Sequence, residues 1–351
     1  MPKFSINRRQ FLGASALGAY SLLHTQASGA EGVDVQIGLT PSNTHPGQKA
    51  VLSVADPSRI RLLQLTDIHF FCKTARPELD KQTLEDVPRL IEKTQPDILL
   101  VSGDLWHDNP LGKGKGFMEF ALDKVSSWGV PWIFTWGNHD KLDDYAAGHD
   151  ALHNAKHSLY RGGPGGGNYI VTLQDQAGAD LWDLVCLNSM GRGLLAPQRD
   201  WLKALPGQEF RPAAKNAFAV VHIPVAQYEQ AWAAPECGGV RLEGVSSWDE
   251  DGSALPLIKA LGTVRAYFCG HDHVNDYRAT VDGIELVYGR ATGSGGYGGD
   301  EVPKGAKIIT ANAQSGQYTM ETVYPDGSTW QTEPGKKIDQ YENTPWAKSP
   351  A

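Results

Sequence analysis

The amino-acid sequence predicts an α/β fold, and three observations carry the prediction. Strand-like apolar runs alternate with amphipathic helical stretches from Ile60 to Phe134, the sequence form of parallel βαβ units. Short polar segments sit at the ends of those runs: Asp67-Ile68-His69, Gly103-Asp104 and Gly137-Asn138-His139-Asp140. Val221-His222 and Gly270-His271-Asp272-His273 follow the same plan later in the chain. Ligands of parallel sheets gather at the carboxyl ends of the strands, so polar residues placed there mark a site rather than a scatter. The third observation is composition: 351 residues, 41% hydrophobic and 21% charged, are ordinary for a globular chain with one large core or two modest ones.

In chain order, Arg8 and Arg9 precede Phe11-Leu12, a short weakly apolar stretch from Ala14 to Leu23, and small residues from Ala27 to Ala30. This pattern reads as a signal peptide over residues 1–30. Consecutive arginines in this setting resemble the twin-arginine export signal of bacteria. The resemblance implies the twin-arginine export machinery as a partner of the precursor, export in the folded state, and a periplasmic or secreted location. Residues 31–59, rich in Gly, Pro, Ser and Thr, read as an N-terminal arm with room for one strand.

Ile60 to Leu65 is a partly buried strand that delivers Asp67. Residues 80 to 94 carry Leu84, Val87, Leu90 and Ile91 at helical spacing. Pro96-Asp97 stops that helix, and the continuous apolar run Ile98 to Val101 leads to Gly103-Asp104. A second helix is predicted from Phe117 to Trp128, and a strand from Val130 to Phe134 leads to Gly137-Asn138. Further strands are predicted at Asp183 to Leu187, Ala217 to Val221 and Val264 to Cys269. Gly283 to Tyr288 and Ala306 to Thr310 read as antiparallel strands, and Gln317 to Tyr324 as a hairpin arm that turns at Pro325-Asp326-Gly327-Ser328. Tyr228 to Asp251 is a Trp- and Pro-rich stretch without a signature. Residues 60–324 form the main domain, and 325–351 the end of the hairpin and a polar, mobile tail.

A net charge of −8 provides no basic field to follow a nucleic-acid backbone, so no nucleic acid is expected. Outside the leader, no apolar run reaches the roughly 20 residues of a membrane span, and no stable span is expected. The four cysteines form no C-x-x-C pair, which excludes a metal ribbon. Cys186 and Cys269 lie in apolar runs and are expected to be buried and unpaired. Cys72 and Cys237 lie in loops, where an oxidising compartment would allow them to pair.

The polar segments offer carboxylate, amide and imidazole groups and no thiolate, a donor set that suits Zn, Mn or Fe. In their order they resemble the calcineurin-like metallophosphoesterase family, over residues 60 to about 320. The resemblance implies a four-layer α/β/β/α sandwich with a dinuclear metal site at the carboxyl ends of the strands. Carried over residue by residue, it assigns Asp67, His69 and His273 to one ion, Asn138, His222 and His271 to the other, and Asp104 to both. His139 would lie beside the substrate, stabilising phosphoryl oxygens or protonating the leaving group, and Asp140 would orient it. The ions would be divalent or mixed-valence Mn, Fe or Zn.

Purple acid phosphatases, a related branch, carry Asp-x-Gly in the first segment and a Tyr three residues after the bridging Asp. Here His69 and His107 stand at those places. The chain therefore resembles the purple-acid-phosphatase-like branch that lacks the tyrosine. His24, His45, His149, His153 and His157 read as leader or surface histidines. The run Gly293 to Gly299 lacks the Lys-Ser/Thr ending of a phosphate loop and reads as a loop near the metals, with Tyr297 or Arg290 offered to substrate. The expected activity is hydrolysis of a small phosphate monoester. A phosphodiesterase acting on cyclic nucleotides or lipid head groups would use the same residues, and an inactive metal-bound scaffold is the reading from a different class.

Overall fold

A computed structural model describes residues 48–72, 76–163, 166–189 and 191–347. The leader 1–30 and the arm as far as residue 47 lie outside the described residues. In chain order the strands are β1 (Lys49–Ser53), β2 (Ile60–Leu65), β3 (Ile98–Val101), β4 (Trp132–Phe134), β5 (Tyr169–Gln174), β6 (Asp180–Cys186), β7 (Ala217–Val220) and β8 (Gly238–Arg241). They continue as β9 (Val264–Cys269), β10 (Asn275–Val281), β11 (Ile284–Tyr288), β12 (Ala306–Asn312), β13 (Gln317–Val323), β14 (Thr329–Trp330) and β15 (Lys337–Ile338). The helices are α1 (Pro77–Thr94), α2 (Gly114–Ser127), α3 (Tyr145–Asn154), α4 (Ala196–Ala204), α5 (Tyr228–Ala233) and α6 (Ala254–Ala260).

Two sheets form among these residues. One has six strands in the order β14-β13-β12-β2-β3-β4, and the other nine in the order β1-β5-β6-β7-β9-β11-β10-β8-β15. The first holds the predicted βαβαβ unit: β2, β3 and β4 are parallel, with α1 and α2 as crossovers. In the second, β6, β7, β9 and β11 are parallel neighbours. Pro at the N-terminus of α1 suits a position whose N–H has no helical acceptor, and Gln95 in the left-handed conformation ends the helix.

Strand alternation separates two cores. Phe218 and Val220 of β7 and Ala266 and Phe268 of β9 face the six-stranded sheet, joining Leu62, Leu65 and Leu100, and Val87, Phe117 and Leu152 from α1, α2 and α3. The intervening Ala217, Ala219, Tyr267 and Cys269 face the other way, onto Leu202, Tyr228, Leu255 and Ile258 of the α4–α6 region. The layers run helix, sheet, sheet, helix, which is the expected α/β/β/α sandwich.

Several expectations change. β5, β8 and β10 had no strand signature, because β8 carries two glycines and β10 begins with Asn275-Asp276. The segment after Gly335 is packed as far as residue 347: β15 pairs with β8, and the Trp346 ring lies 4.6 Å from the Arg290 guanidinium. His149 is buried rather than at the surface, with Nδ1 2.6 Å from the Tyr160 hydroxyl. No Cys72–Cys237 bridge forms. All four cysteines are free, Cys72 packing in the first core and Cys237 in the second.

A buried ion cluster joins the sheets. Asp276 of β10 accepts from Arg290 Nε at 3.0 Å, from Lys307 Nζ of β12 at 2.6 Å and from Thr322 Oγ1 of β13 at 2.8 Å. Burial works against the Asp276 carboxylate, but Lys307 and Arg290 outweigh it and hold its pKa below the ordinary value. Replacing Asp276 with Ala strands two buried cations and is expected to cost about 3–5 kcal/mol in denaturant unfolding. Because the folded pKa is depressed, this stabilisation is present above the ordinary pKa of 3.8 and lost as pH falls through the folded value. Asp276→Asn should therefore flatten the acid limb of the stability curve.

Candidate metal centre

The carboxyl ends of β2, β3, β4, β7 and β9 converge, and there the chain leaves strand geometry abruptly. Asp67, His69, Asp104 and His271 hold φ of 54°, 51°, 51° and 79°. Left-handed backbone costs an ordinary residue about 1 kcal/mol or more, and Asp and His tolerate it better than most. The turns are locked across segments: Asp67 N–H donates to the Gly103 carbonyl at 3.1 Å, His69 N–H to the Asp104 carbonyl at 2.9 Å, and Gly270 N–H to the His222 carbonyl at 3.0 Å. Gln64 ties the sheets beneath them, donating to Ser102 Oγ at 2.9 Å and to the Cys269 carbonyl at 3.0 Å.

These turns bring the seven expected ligands together in two groups. Donor atoms of Asp67, His69 and His273 lie within 4.8 Å of one another, and so do those of Asp104, His222 and His271. Asn138 Oδ1 joins the second group, 3.0 Å from His222 Nε2. One atom stands between the groups: Asp104 Oδ2 is 3.5 Å from His69 Nε2 and 3.2 Å from His222 Nε2.

The orientation of the imidazoles tests whether metal ions fit. His222 Nδ1 is 2.9 Å from the Ser102 carbonyl, which only accepts, so Nδ1 carries the proton. Its Nε2 faces the oxygens of Asn138 and Asp104, a place that either a proton or a metal ion can fill. His273 Nδ1 likewise faces the Tyr297 carbonyl at 3.2 Å, and its Nε2 lies 3.2 Å from both His69 Nε2 and Asp67 Oδ1. Imidazole nitrogens and carboxylate oxygens converging at such distances call for positive charge among them, and hard oxygen plus imidazole donors suit Mn, Fe or Zn. The charge balance agrees. Burial alone would lower the pKa of His222, yet Asp104 and Asp67 push it up to about 10, so this pocket demands positive charge. Burial and His222 hold His271 down to about 3, in the neutral form that a ligand needs. Burial raises Asp67, but His273, His222 and His69 outweigh it and keep its carboxyl well below the usual range.

His139 lies at the mouth, its ring 4.9 Å from that of His69, and its backbone N–H donates to Asp104 Oδ1 at 2.8 Å. The expectation that Asp140 orients its ring is not met. Both Asp140 oxygens are taken by backbone N–H groups, Oδ1 by Leu105 and Trp106 and Oδ2 by Asp104 and Gly137, so Asp140 braces two of the turns. The carboxylate beside His139 is Asp108, with Oδ1 3.2 Å from Nδ1, and Lys141 Nζ approaches the same oxygen at 2.7 Å. Asp108 escaped the sequence reading. Its only signal was a second carboxylate four residues after Asp104, and a left-handed turn with φ 63° brings it back.

His107 adds a further layer. Its Nδ1 is 3.2 Å from His69 Nδ1, and its ring stacks on His139 at 5.0 Å. If His69 offers Nε2 to an ion, Nδ1–H donates to His107 and fixes the ring. Of the two residues expected to face substrate from the glycine-rich loop, Arg290 does not: it is fully buried on Asp276. Tyr297 stacks on His273 at 4.0 Å, its hydroxyl held by Glu243 at 2.8 Å.

Two substitutions check this geometry by chelator competition for divalent ions. A Cβ on Gly137 would fall 2.2 Å from Asp104 Oδ1, so Gly137→Ala should abolish tight binding of at least one ion. His107→Phe removes the support of His69 and should weaken affinity by roughly tenfold to a hundredfold. An unchanged affinity would show that His107 does not hold His69.

The chain is 26% identical over 319 residues to "Probable inactive purple acid phosphatase 28" of Arabidopsis thaliana, covering 78% of this chain and 80% of that protein. It is 24% identical over 284 residues to "Phosphatase DCR2" of Saccharomyces cerevisiae, covering 68% of this chain and 49% of the yeast protein. A dimetal phosphatase structure from Danio rerio aligns with 80% of this chain and 98% of its own, at 12% identity and a TM-score of 0.42. The description "Calcineurin-like phosphoesterase" matches residues 60–275, which hold every candidate ligand, and the chain belongs to the calcineurin-like phosphoesterase family.

Proposed function

We propose that the protein hydrolyses phosphate monoesters, with Asp67, His69 and His273 holding one ion, Asn138, His222 and His271 the other, and Asp104 shared between them. The observation that carries this reading is the place of Asp104 Oδ2, within 3.5 Å of an imidazole from each group. When bound, two such ions supply Lewis-acid charge for the phosphoryl oxygens and an acidified water as nucleophile. The chain's own contribution is position and protons. Asp104 and the strained turns hold the donors in register. His139 sits at the open side, a third exposed, where its Nε2 can protonate the departing ester oxygen, with the Asp108 carboxylate 3.2 Å from Nδ1. Burial raises the Asp108 carboxyl, but its bond to Lys141 and the charge of His139 outweigh that and keep it ionised.

A phosphodiesterase activity is the second reading, supported by a cleft of about 600 Å³ at Asn138 with room for another ester arm. An inactive metal-bound scaffold is the third, supported by the name of the plant relative. The leader with Arg8-Arg9 supports folded export to the periplasm or beyond, and replacing both with Lys should trap the precursor in the cytoplasmic fraction.

The deciding experiment assays monoester and diester substrates in parallel on metal-loaded protein. His139→Ala is expected to lower kcat by about 10²–10⁴-fold with metal content unchanged. A diester rate far above the monoester rate overturns the monoester reading, and unchanged turnover in His139→Ala overturns the role of His139.

A further inference from the structure

Large apolar side chains are rarely left in water without a reason, and the few exposed here are not scattered. Among the described residues, Leu111, Tyr145, Trp248 and Tyr297 are the exposed large hydrophobics. Three of them border the metal centre: Tyr297 lies flat on His273, Trp248 meets His271 edge-on at 4.7 Å, and Tyr145 stands 5.3 Å from Trp136 at the wall of the Asn138 cleft.

Two of the three are fixed in place by the backbone around them. Trp248 is half exposed, and its backbone is left-handed, with φ 49°, a strained conformation for so large a residue. The strain persists because the loop is clamped on its C-terminal side. Asp249 receives two bonds from Arg192, and Glu250 accepts from Ala226 N–H at 2.7 Å. Tyr145 opens α3 next to its cap, Asp144, so the start of a helix fixes its direction. The cleft it walls also includes Trp136, Gly137, Asn138, Lys141 and Gly191. At about 600 Å³ it is far larger than a phosphoryl group needs and falls within the usual range of small-molecule sites. Gly191 lines it beside Asn138, and its neighbour Arg192 clamps the Trp248 loop.

We infer that the cleft and Trp248 form a subsite for a planar aromatic group, so that the natural substrate is the phosphoester of an aromatic or nucleoside alcohol. The inference rests on the proposed phosphoesterase reading. Asn138 lines the cleft with Tyr145 and His271 lies beside Trp248, so both of these proposed ligands of one ion have an exposed aromatic neighbour. Ring faces and edges recognise a planar group by stacking at offset or perpendicular geometry.

The test is titration of manganese-loaded protein with phenylphosphonate and methylphosphonate, which share the anionic head and cannot be hydrolysed at an ester bond. The wild type is expected to prefer the phenyl compound by roughly tenfold or more. Tyr145→Ala and Trp248→Ala, both at exposed positions, should each erode that preference, and the double variant should abolish it with metal content unchanged. Adenosine 5′-monophosphate against ribose 5-phosphate separates the two sources. A matching preference for the nucleotide identifies a nucleoside, and its absence confines the subsite to simple aryl groups. Equal affinity of the wild type for both phosphonates, or a preference untouched in the double variant, overturns the subsite. Loss of turnover on every ester with the phenyl preference intact would overturn the phosphoesterase reading and leave the subsite standing.

Discussion

Two carboxylates buried between the sheets govern this molecule. Asp67 and Asp104 are about 1% exposed, deep enough that unmatched negative charge would be prohibitively costly. The chain surrounds them with His69, His222, His271 and His273, and then occupies the far nitrogens of His222 and His273 with backbone carbonyls, so that the other ring nitrogen of each faces the carboxylates. Such an arrangement is electrostatically incomplete by itself. The demand for positive charge that drives His222 so far upward is the same demand that metal ions satisfy.

The backbone is built around that demand. The turns after β2, β3, β4 and β9 leave their strands through a left-handed residue or a glycine pressed against a neighbour, and main-chain bonds tie Asp67 to Gly103, His69 to Asp104, Asp108 to His139 and Gly270 to His222. Asp140 gathers four N–H groups from two turns at once, which explains a carboxylate beside His139 that never touches its ring. Strain at Asp67, His69, Asp104 and His271 is tolerated because the surrounding sandwich determines those positions many times over.

Much of this was legible because two periodicities are plain in the chain. Continuous apolar runs marked β2, β3, β7 and β9, and spacing marked α1 and α2, so the strand ends and their polar residues could be located. What escaped was decided by tertiary contact. β10 opens on Asn275-Asp276, polar residues that a sheet interior accepts only because Arg290 and Lys307 meet the charge. Sequence adjacency suggested that Asp140 serves His139, but neighbouring side chains in a turn point apart, and Asp108 reaches the ring from another segment. The burial of Arg290 was invisible for the same reason, since a charge beside a glycine-rich loop reads as solvated until its partner on another strand is known.

The cluster at Asp276 also has a mechanical meaning. The loop bearing His271 and His273 runs from the end of β9 to the start of β10, and Asp276 is its second anchor. That anchor depends on Arg290, which is in turn roofed by Trp330 and Trp346. The segment that ends in Trp346 therefore acts as a keystone: one guanidinium and one carboxylate link it to the strand on which the loop of two imidazoles comes to rest.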